Sequence, residues 1–182
     1  MWLSGADEER DWYRIDHREV AMAVLVQPFV DGAIANGVAI TANPFYEARP
    51  GYFVNAQALG GSVTGAAGDE IPEQHLIYTY ADDGPELELV SRSTRGDGAL
   101  LLREPELMQL HAALARLDFA LTPYWSGRAN AVDVEFLVAG PDRRVVILQA
   151  RPFCVRYTEG QRAVHRRPQA ACPARLYPPR AP

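Results

Sequence analysis

The sequence predicts an α+β fold, a mostly antiparallel sheet with one long helix. Short apolar stretches with strand-like composition recur along most of the 182-residue chain. Turn signals rich in Gly, Asp, Asn and Pro separate these stretches, and only residues 105–119 have sustained helical spacing. Several strands joined by short turns, followed by one late helix, are typical of the α+β class.

The first elements come from the N-terminal part of the chain. Residues 7–19 predict a short polar helix. Residues 21–27 are mostly apolar at successive positions, which predicts a strand buried on both faces and therefore central in the sheet. An Asp-Gly pair at residues 31–32 and an Asn-Gly pair at residues 36–37 are turn signals.

The next four strands are short and regularly spaced. Residues 37–41 and 52–56 predict two strands, and the glycine-rich residues 59–65 predict a loop after the second. Residues 75–80 and 86–91 then flank an Asp-Asp-Gly sequence and predict a β-hairpin.

One long helix follows, and the chain ends in a tail. Pro105 suits the first turn of a helix. The apolar face of this helix consists of residues at helical spacing: Leu107, Leu110, His111, Leu114 and Leu117. From Arg156 the chain is rich in Arg and Pro without periodicity, so the sequence predicts a folded domain over residues 1–155 and a weakly structured tail over residues 156–182.

A second hairpin carries the most informative pattern of the chain. Residues 132–137 and 145–152 predict its two strands, and residues 140–143 its turn, with Pro and Asp at favoured turn positions. The even-numbered residues of both strands are apolar, so we expect that face to pack on the core. If the turn centres on Asp142, the numbers of opposed residues sum to 284.

This register brings four polar side chains together. Asp133 then lies opposite Arg151, and Glu135 lies opposite Gln149, with Cβ atoms about 5 Å apart. All four share the face opposite the apolar one, because side chains alternate along a strand. Two carboxylates, an amide and a guanidinium can form a metal–phosphate site. The pattern alone favours a plain cross-strand salt bridge on a solvated sheet face, because exposed strand faces are usually charged.

Composition excludes several functional classes. A net charge of −5 argues against a general nucleic-acid binder, and no apolar run is long enough to predict a membrane span. Cys154 and Cys172 lack metal-ligand spacing, and a disulfide between them stays open. The acidic start does not resemble a signal peptide, so we expect a cytoplasmic protein. The 18 basic residues are all arginine, and the chain has no lysine.

Four segments resemble, in order, the nucleotide-binding domain of the pyruvate phosphate dikinase and phosphoenolpyruvate synthase family, which has an ATP-grasp-type fold. Residues 15–30 resemble its central strand, and residues 37–44 its "GV-x-x-T-x-(N/D)-P" segment. Residues 133–136 and 148–152 resemble its "DIEW" and "LQARP" motifs, and this last pair at this separation is fairly specific.

The resemblance implies an ATP site with Mg²⁺. Glu135 and Gln149 would hold the metal against the ATP phosphates, Asp133 would support them, and Arg151 would neutralise phosphate charge. Oxygen ligands suit Mg²⁺, and a planar guanidinium suits phosphate. Gln27 and Phe29 would lie at the strand end that hydrogen-bonds adenine, although Gln27 could equally satisfy a buried backbone group.

The chain also departs from the family. The preceding subdomain, which in the family clamps the triphosphate with a lysine and an arginine, is expected to be absent. The family's "GLGE" loop appears as residues 58–61 without its acidic residue. Two functional classes follow: the C-terminal half of an ATP-dependent phosphotransferase, completed by a separately encoded N-terminal subdomain or phosphohistidine domain, or a non-catalytic nucleotide-binding or interaction module or degenerate remnant.

Overall fold

The structure, a computed structural model, describes residues 12, 14, 16, 24–61, 70–80, 84–95, 98–125 and 129–162. In this part of the chain, six strands form one antiparallel sheet and one α-helix packs on it. The strands are β1 (Ala33–Ile40), β2 (Gly51–Ala58), β3 (Glu73–Tyr78), β4 (Glu86–Ser91), β5 (Ala131–Ala139) and β6 (Arg144–Phe153), and the helix is α1 (Glu104–Leu121). Their order across the sheet is β4-β3-β2-β1-β5-β6. The predicted α+β class is confirmed.

The core lies between α1 and one face of the sheet. It consists of buried apolar side chains from the strands and the helix: Ala35, Ala39, Val54, Ala56, Ile77, Leu102, Leu107, Leu110, Leu114, Val132, Val134, Phe136 and Val138. Gly37 makes room for the largest of them, because a Cβ there would lie 2.2 Å from the Phe136 ring and 2.6 Å from the Asn55 carbonyl oxygen. The predicted turn at residues 36–37 is therefore wrong: this Asn-Gly pair lies inside β1, where packing requires the glycine.

Helix α1 starts and packs as its sequence predicts. Pro105 lies in the first turn, and the Glu106 carboxylate accepts a hydrogen bond from the backbone N–H of Arg103 at 2.7 Å. Leu107, Leu110 and Leu114 are buried against the sheet. The helix therefore covers one sheet face. On the other face, Phe53, Leu76 and Tyr78 form a second, smaller apolar cluster.

The β5–β6 hairpin follows the predicted register only in part. The sum of 284 holds from Ala131 opposite Phe153 to Glu135 opposite Gln149. A β-bulge then shifts the pairing, so that Phe136 lies opposite Ile147 and every later pair sums to 283. The extra residue is Leu148.

This bulge corrects the prediction that the even-numbered residues of β6 face the core. Ala150, which follows Leu148, does pack against the core. Before Leu148, on the turn side of the bulge, the odd-numbered residues Val145 and Ile147 pack against the core instead. A single inserted residue reverses the alternation from that point on.

The predicted central strand over residues 21–27 is wrong for the part that the structure describes. Residues 24–30 form no strand, and Val24, Val26 and Phe29 are 77%, 88% and 90% exposed. A central strand needs a neighbouring strand on each side. Among the described residues, β6 is the edge of the sheet, and no further strand pairs with it. Residues 21–23, most of the predicted helix over 7–19, and residues 62–65 of the glycine-rich loop lie outside the described residues.

The last described residues pack on the loop that follows β1. The Tyr157 hydroxyl donates a hydrogen bond to the Asn43 carbonyl oxygen at 2.8 Å, and the backbone N–H of Glu47 donates to the Gln161 carbonyl oxygen at 3.0 Å. The first residues assigned to the predicted tail thus contact the domain, and Cys172 lies outside the described residues. None of the described helices is long and apolar enough to cross a membrane.

Candidate functional site

The sheet face opposite α1, here called the open face, carries the polar side chains. Residues on neighbouring strands lie side by side in rows across it, about 4.8 Å apart. One row runs from Asn55 through Val38 and Glu135 to Gln149. The next row runs from Phe53 through Ile40 and Asp133 to Arg151. The four polar residues predicted from the hairpin therefore do share one face.

An ion pair organises this site. The Arg151 Nε atom lies 2.7 Å from Asp133 Oδ2, and an Arg151 terminal nitrogen lies 3.9 Å from Glu135 Oε1. The Asp133 side chain is only 12% exposed, whereas those of Glu135 and Arg151 are 42% and 52% exposed. Asp133 thus fixes the orientation of the guanidinium, and Glu135 and Arg151 keep surface for a ligand.

The donor set suits Mg²⁺ with phosphate. Glu135 offers a carboxylate and Gln149, directly opposite, an amide oxygen. Mg²⁺ is usually bound through one or two carboxylates, with phosphate and water completing its shell. No cluster of three or more His, Cys, Asp or Glu side chains that could hold a metal occurs among the described residues. Glu135 and Gln149 can therefore supply part of the coordination shell of an Mg²⁺ ion that is also bound by phosphate.

Gln27 and Phe29 lie apart from this cluster. They line a groove of ≈ 590 Å³ whose other wall includes Arg144, Val146 and Leu148 of β6. Leu148, which lines the groove, directly precedes Gln149. The groove therefore adjoins the polar rows at the edge strand β6. Both residues are exposed, and the strand that was predicted to position them is not formed.

Three amide side chains on the open face have no role in the prediction from sequence. They are Asn36 on β1 and Asn55 and Gln57 on β2, and each has a buried polar atom without a hydrogen-bond partner. Asn55 lies in the strand predicted over residues 52–56, and Gln57, two positions further on, continues the same face just beyond it. That alternation was the available signal, but it does not distinguish a functional face from an ordinary polar one.

The two histidines among the described residues, His75 and His111, have structural partners. The His75 ring nitrogen Nε2 lies 2.9 Å from the buried Glu73 carboxylate, and the His111 ring packs 5.8 Å from the Tyr52 ring. Burial opposes ionisation of Glu73, but hydrogen bonds from His75 and from the backbone of Leu102 and Leu101 hold its pKa below the ordinary value.

Comparison with known families gives one match. The family model described as the pyruvate phosphate dikinase AMP/ATP-binding domain matches residues 5–171. The match extends beyond the segments that carry the resemblance, on both sides. No curated protein matches the chain.

Proposed function

Because the chain belongs to the family of the pyruvate phosphate dikinase AMP/ATP-binding domain, we propose that its open face binds Mg·ATP. Glu135 and Gln149 are the metal ligands, and Arg151 contacts the phosphates. One observation carries the proposal: Glu135 and Gln149 are directly opposed on the open face, within reach of a guanidinium that Asp133 already orients.

Each side chain has a distinct task in this proposal. Mg²⁺ would neutralise charge between the phosphates, which is a main requirement of phosphoryl transfer. Glu135 and Gln149 would hold the metal from the sheet side. Arg151 would present its planar guanidinium to a phosphate oxygen, and Asp133 would keep it in place by accepting the hydrogen bond from Nε.

The groove beside β6 is the proposed place for the base. Gln27 offers an amide and Phe29 an aromatic ring, and Val146 and Leu148 add apolar surface on the opposite wall. The groove thus combines polar and apolar lining, and a nucleotide base needs both an apolar surface and hydrogen-bond partners. This assignment is supported by the groove and by the family. It does not depend on the strand predicted over residues 21–27, because residues 24–27 form no strand.

A second subdomain would complete the site. Glu135 and Arg151 are about half exposed, so the described residues would cover the phosphates from the sheet side only. The chain has no lysine to add a second cation. We therefore place this chain in a phosphoenolpyruvate synthase or pyruvate phosphate dikinase-like phosphotransferase that works in the cytoplasm and needs a partner subdomain for activity.

The same observations favour one alternative, a nucleotide-binding module without catalysis. An open half-site without lysine would bind nucleotide weakly and transfer no phosphoryl group. The two functions separate in one assay: the chain alone should show no phosphoryl transfer from ATP to pyruvate, and adding the completing subdomain should restore it only if the site is catalytic.

Isothermal titration calorimetry with Mg·ATP tests the binding site. We expect Glu135→Ala to weaken binding at least tenfold, because it removes the only carboxylate directly opposite Gln149. Glu86→Ala, on the opposite edge strand β4, is the matched control and should bind like the wild type. Equal binding by the wild type and Glu135→Ala would overturn the site assignment.

A further inference from the structure

We infer that the side of helix α1 that faces away from the sheet is an interface at which two copies of this chain pair with their helices antiparallel. Four residues carry the inference: Met108, Ala112, Ala115 and Phe119, here called the outer stripe. Because α1 packs on the sheet face opposite the open face, this interface is separate from the proposed nucleotide site and does not depend on it.

The spacing of the outer stripe places it on one side of the helix. Its successive members are four, three and four positions apart in the sequence. An α-helix turns by about 100° per residue, so all four members fall within an arc of about 60°. The buried residues Leu107, Leu110 and Leu114 are centred about 140° away around the helix. The outer stripe therefore lies opposite the side that packs on the core.

The outer stripe is apolar although it faces solvent. The Phe119 residue is 85% exposed and Met108 is 40% exposed. A helix that packs on a core through one side usually carries polar and charged residues on the other. Here the exposed charged residues lie at the border of the stripe, Glu104 one turn before it and Arg116 beside it. A continuous exposed apolar surface with a polar border is typical of a protein interaction site.

The order of side-chain sizes in the outer stripe identifies a second copy as the partner. Both the sizes, large-small-small-large, and the spacings read the same in either direction along the chain. When two such helices lie antiparallel about a two-fold axis at the centre of the stripe, the numbers of opposed residues sum to 227. Met108 then lies opposite Phe119 of the second copy, and Ala112 lies opposite its Ala115. A two-fold interface requires a surface that is complementary to itself in this way.

The positions of the small and large residues suit two helices that cross. At the centre, Ala112 and Ala115 let the two backbones approach closely, to an interaxial distance of about 8 Å. On either side of the crossing the helices diverge, and the space between them widens. Met108 and Phe119 lie there, and their longer side chains can fill that space. An unrelated partner helix would not require the same sizes at both ends of the stripe.

The size of the contact predicts a weak dimer. Helix α1 has 18 residues and is therefore about 27 Å long. One crossing of two helices of this length buries less than the about 800 Å² per partner that is usual for a stable interface. We therefore expect a concentration-dependent equilibrium between monomer and dimer. Each copy keeps its open face accessible in the dimer, because α1 covers the other face of the sheet.

Sedimentation velocity with the full chain tests the interface. Over protein concentrations from about 10 µM to about 1 mM, which cover weak association, we expect the sedimentation coefficient of the wild type to rise from that of a monomer towards that of a dimer. Phe119→Glu places a charge in the outer stripe at an exposed position, so it should fold and weaken association at least tenfold. Ala120→Glu is the matched control, because it adds the same charge at the next exposed residue, about 100° around the helix, and it should associate like the wild type.

Cysteine cross-linking tests the antiparallel register. The native cysteines are first replaced by Cys154→Ser and Cys172→Ser. Met108→Cys and Phe119→Cys are then made in separate chains, mixed, and oxidised with oxidised glutathione. The inferred register places these two cysteines opposite each other, so the mixture should form a disulfide-linked dimer. Either variant alone would hold its two cysteines about 16 Å apart along the axis, beyond the about 7 Å between Cα atoms that a disulfide can span, and should not cross-link.

Three outcomes would overturn the inference. The first is a wild type that stays monomeric up to about 1 mM. The second is a dimer that forms equally well with Phe119→Glu, which would place the interface elsewhere on the molecule. The third is cross-linking of either single variant with itself rather than of the mixture, which would exclude the antiparallel register. None of these results bears on the proposed nucleotide site, and Phe119→Glu should bind Mg·ATP like the wild type.

Discussion

Glu135 and Gln149 are the last directly opposed residues of the β5–β6 pair before its register shifts at the bulge. The bulge divides β6 into two parts whose odd-numbered side chains point to opposite faces of the sheet. On one side of it β6 presents Gln149 and Arg151 to the open face, and on the other side it presents Val145 and Ile147 to the core. Because bulges bend a strand and re-aim its side chains, this one sets where the proposed site begins.

Substitutions on either side of the bulge should have unequal effects on stability. Ile147 and Leu148 both line the groove, but only Ile147 also packs against the core. We expect Ile147→Ala to lower the free energy of unfolding by about 1–3 kcal/mol and Leu148→Ala by about 0.5 kcal/mol or less. Urea denaturation measures both. A larger loss for Leu148→Ala would mean that the bulge does not reverse the strand in solution.

The pairing of the four polar residues was easier to predict from the sequence than the structure around them. The period of two along β5 and β6 and a recognisable turn were enough to pair Asp133 with Arg151 and Glu135 with Gln149. A bulge adds one residue without any composition signal, so its position came only from three-dimensional pairing. The Asn-Gly pair at residues 36–37 has the composition of a turn, but the Phe136 ring that fills the space beside Gly37 comes from a strand about a hundred residues away.

Two other errors have the same physical origin. Residues 24–27 are apolar enough for a central strand, but burial depends on neighbours, and an apolar pattern does not say whether they exist. The unpartnered amides of Asn36, Asn55 and Gln57 were missed because a sequence does not show which buried polar atoms lack hydrogen-bond partners.

Gly37 should tolerate no side chain. Any Cβ there would meet the Phe136 ring and the Asn55 carbonyl oxygen, and overpacking of this kind costs about 1–3 kcal/mol. We expect Gly37→Ala to lower the melting temperature clearly. Gly160→Ala, where a Cβ meets nothing within 4 Å, should be close to neutral. Equal melting temperatures for the two variants would contradict the packing described for β1 and β5.

Arg151 should matter for binding more than for folding. Its ion pair with Asp133 is short, at 2.7 Å, but the arginine side chain is 52% exposed, and such pairs contribute about 0–1 kcal/mol. We expect Arg151→Ala to change unfolding little while weakening Mg·ATP binding at least tenfold in calorimetry. Arg151→Lys should not restore the affinity, because an ammonium lacks the planar fork. Full rescue by lysine would show that only the positive charge is needed.

Arg143 should show the reverse pattern. Its guanidinium Nε donates to the Glu106 carboxylate at 2.7 Å, and the Glu106 side chain is only 3% exposed. Arg143→Ala would leave this buried charge without its partner, so we expect a loss of about 3 kcal/mol in the free energy of unfolding. Because Arg143 lies in the hairpin turn away from Glu135 and Gln149, Mg·ATP affinity should not change. A loss of affinity at unchanged stability would assign Arg143 to the site instead.

Glu73 should make the fold sensitive to acid. Burial opposes its ionisation, but hydrogen bonds from His75 and from the backbone of Leu102 and Leu101 hold its pKa below the ordinary value of a glutamate. A carboxyl group whose pKa is depressed in the folded state contributes stability above its unfolded pKa and loses it as the pH falls through the folded value. The contribution should therefore be complete near neutral pH and decline once the pH drops below about 4.5.

Chemical denaturation of the wild type and Glu73→Gln between pH 7 and pH 3 checks this sign. The variant keeps one oxygen acceptor but loses the charge, so it should be less stable than the wild type at pH 7. Protonation removes the same charge from the wild type in acid, so the difference between the two proteins should shrink as the pH falls. A constant difference across this range would mean that Glu73 contributes through packing and shape rather than through its ionised carboxylate.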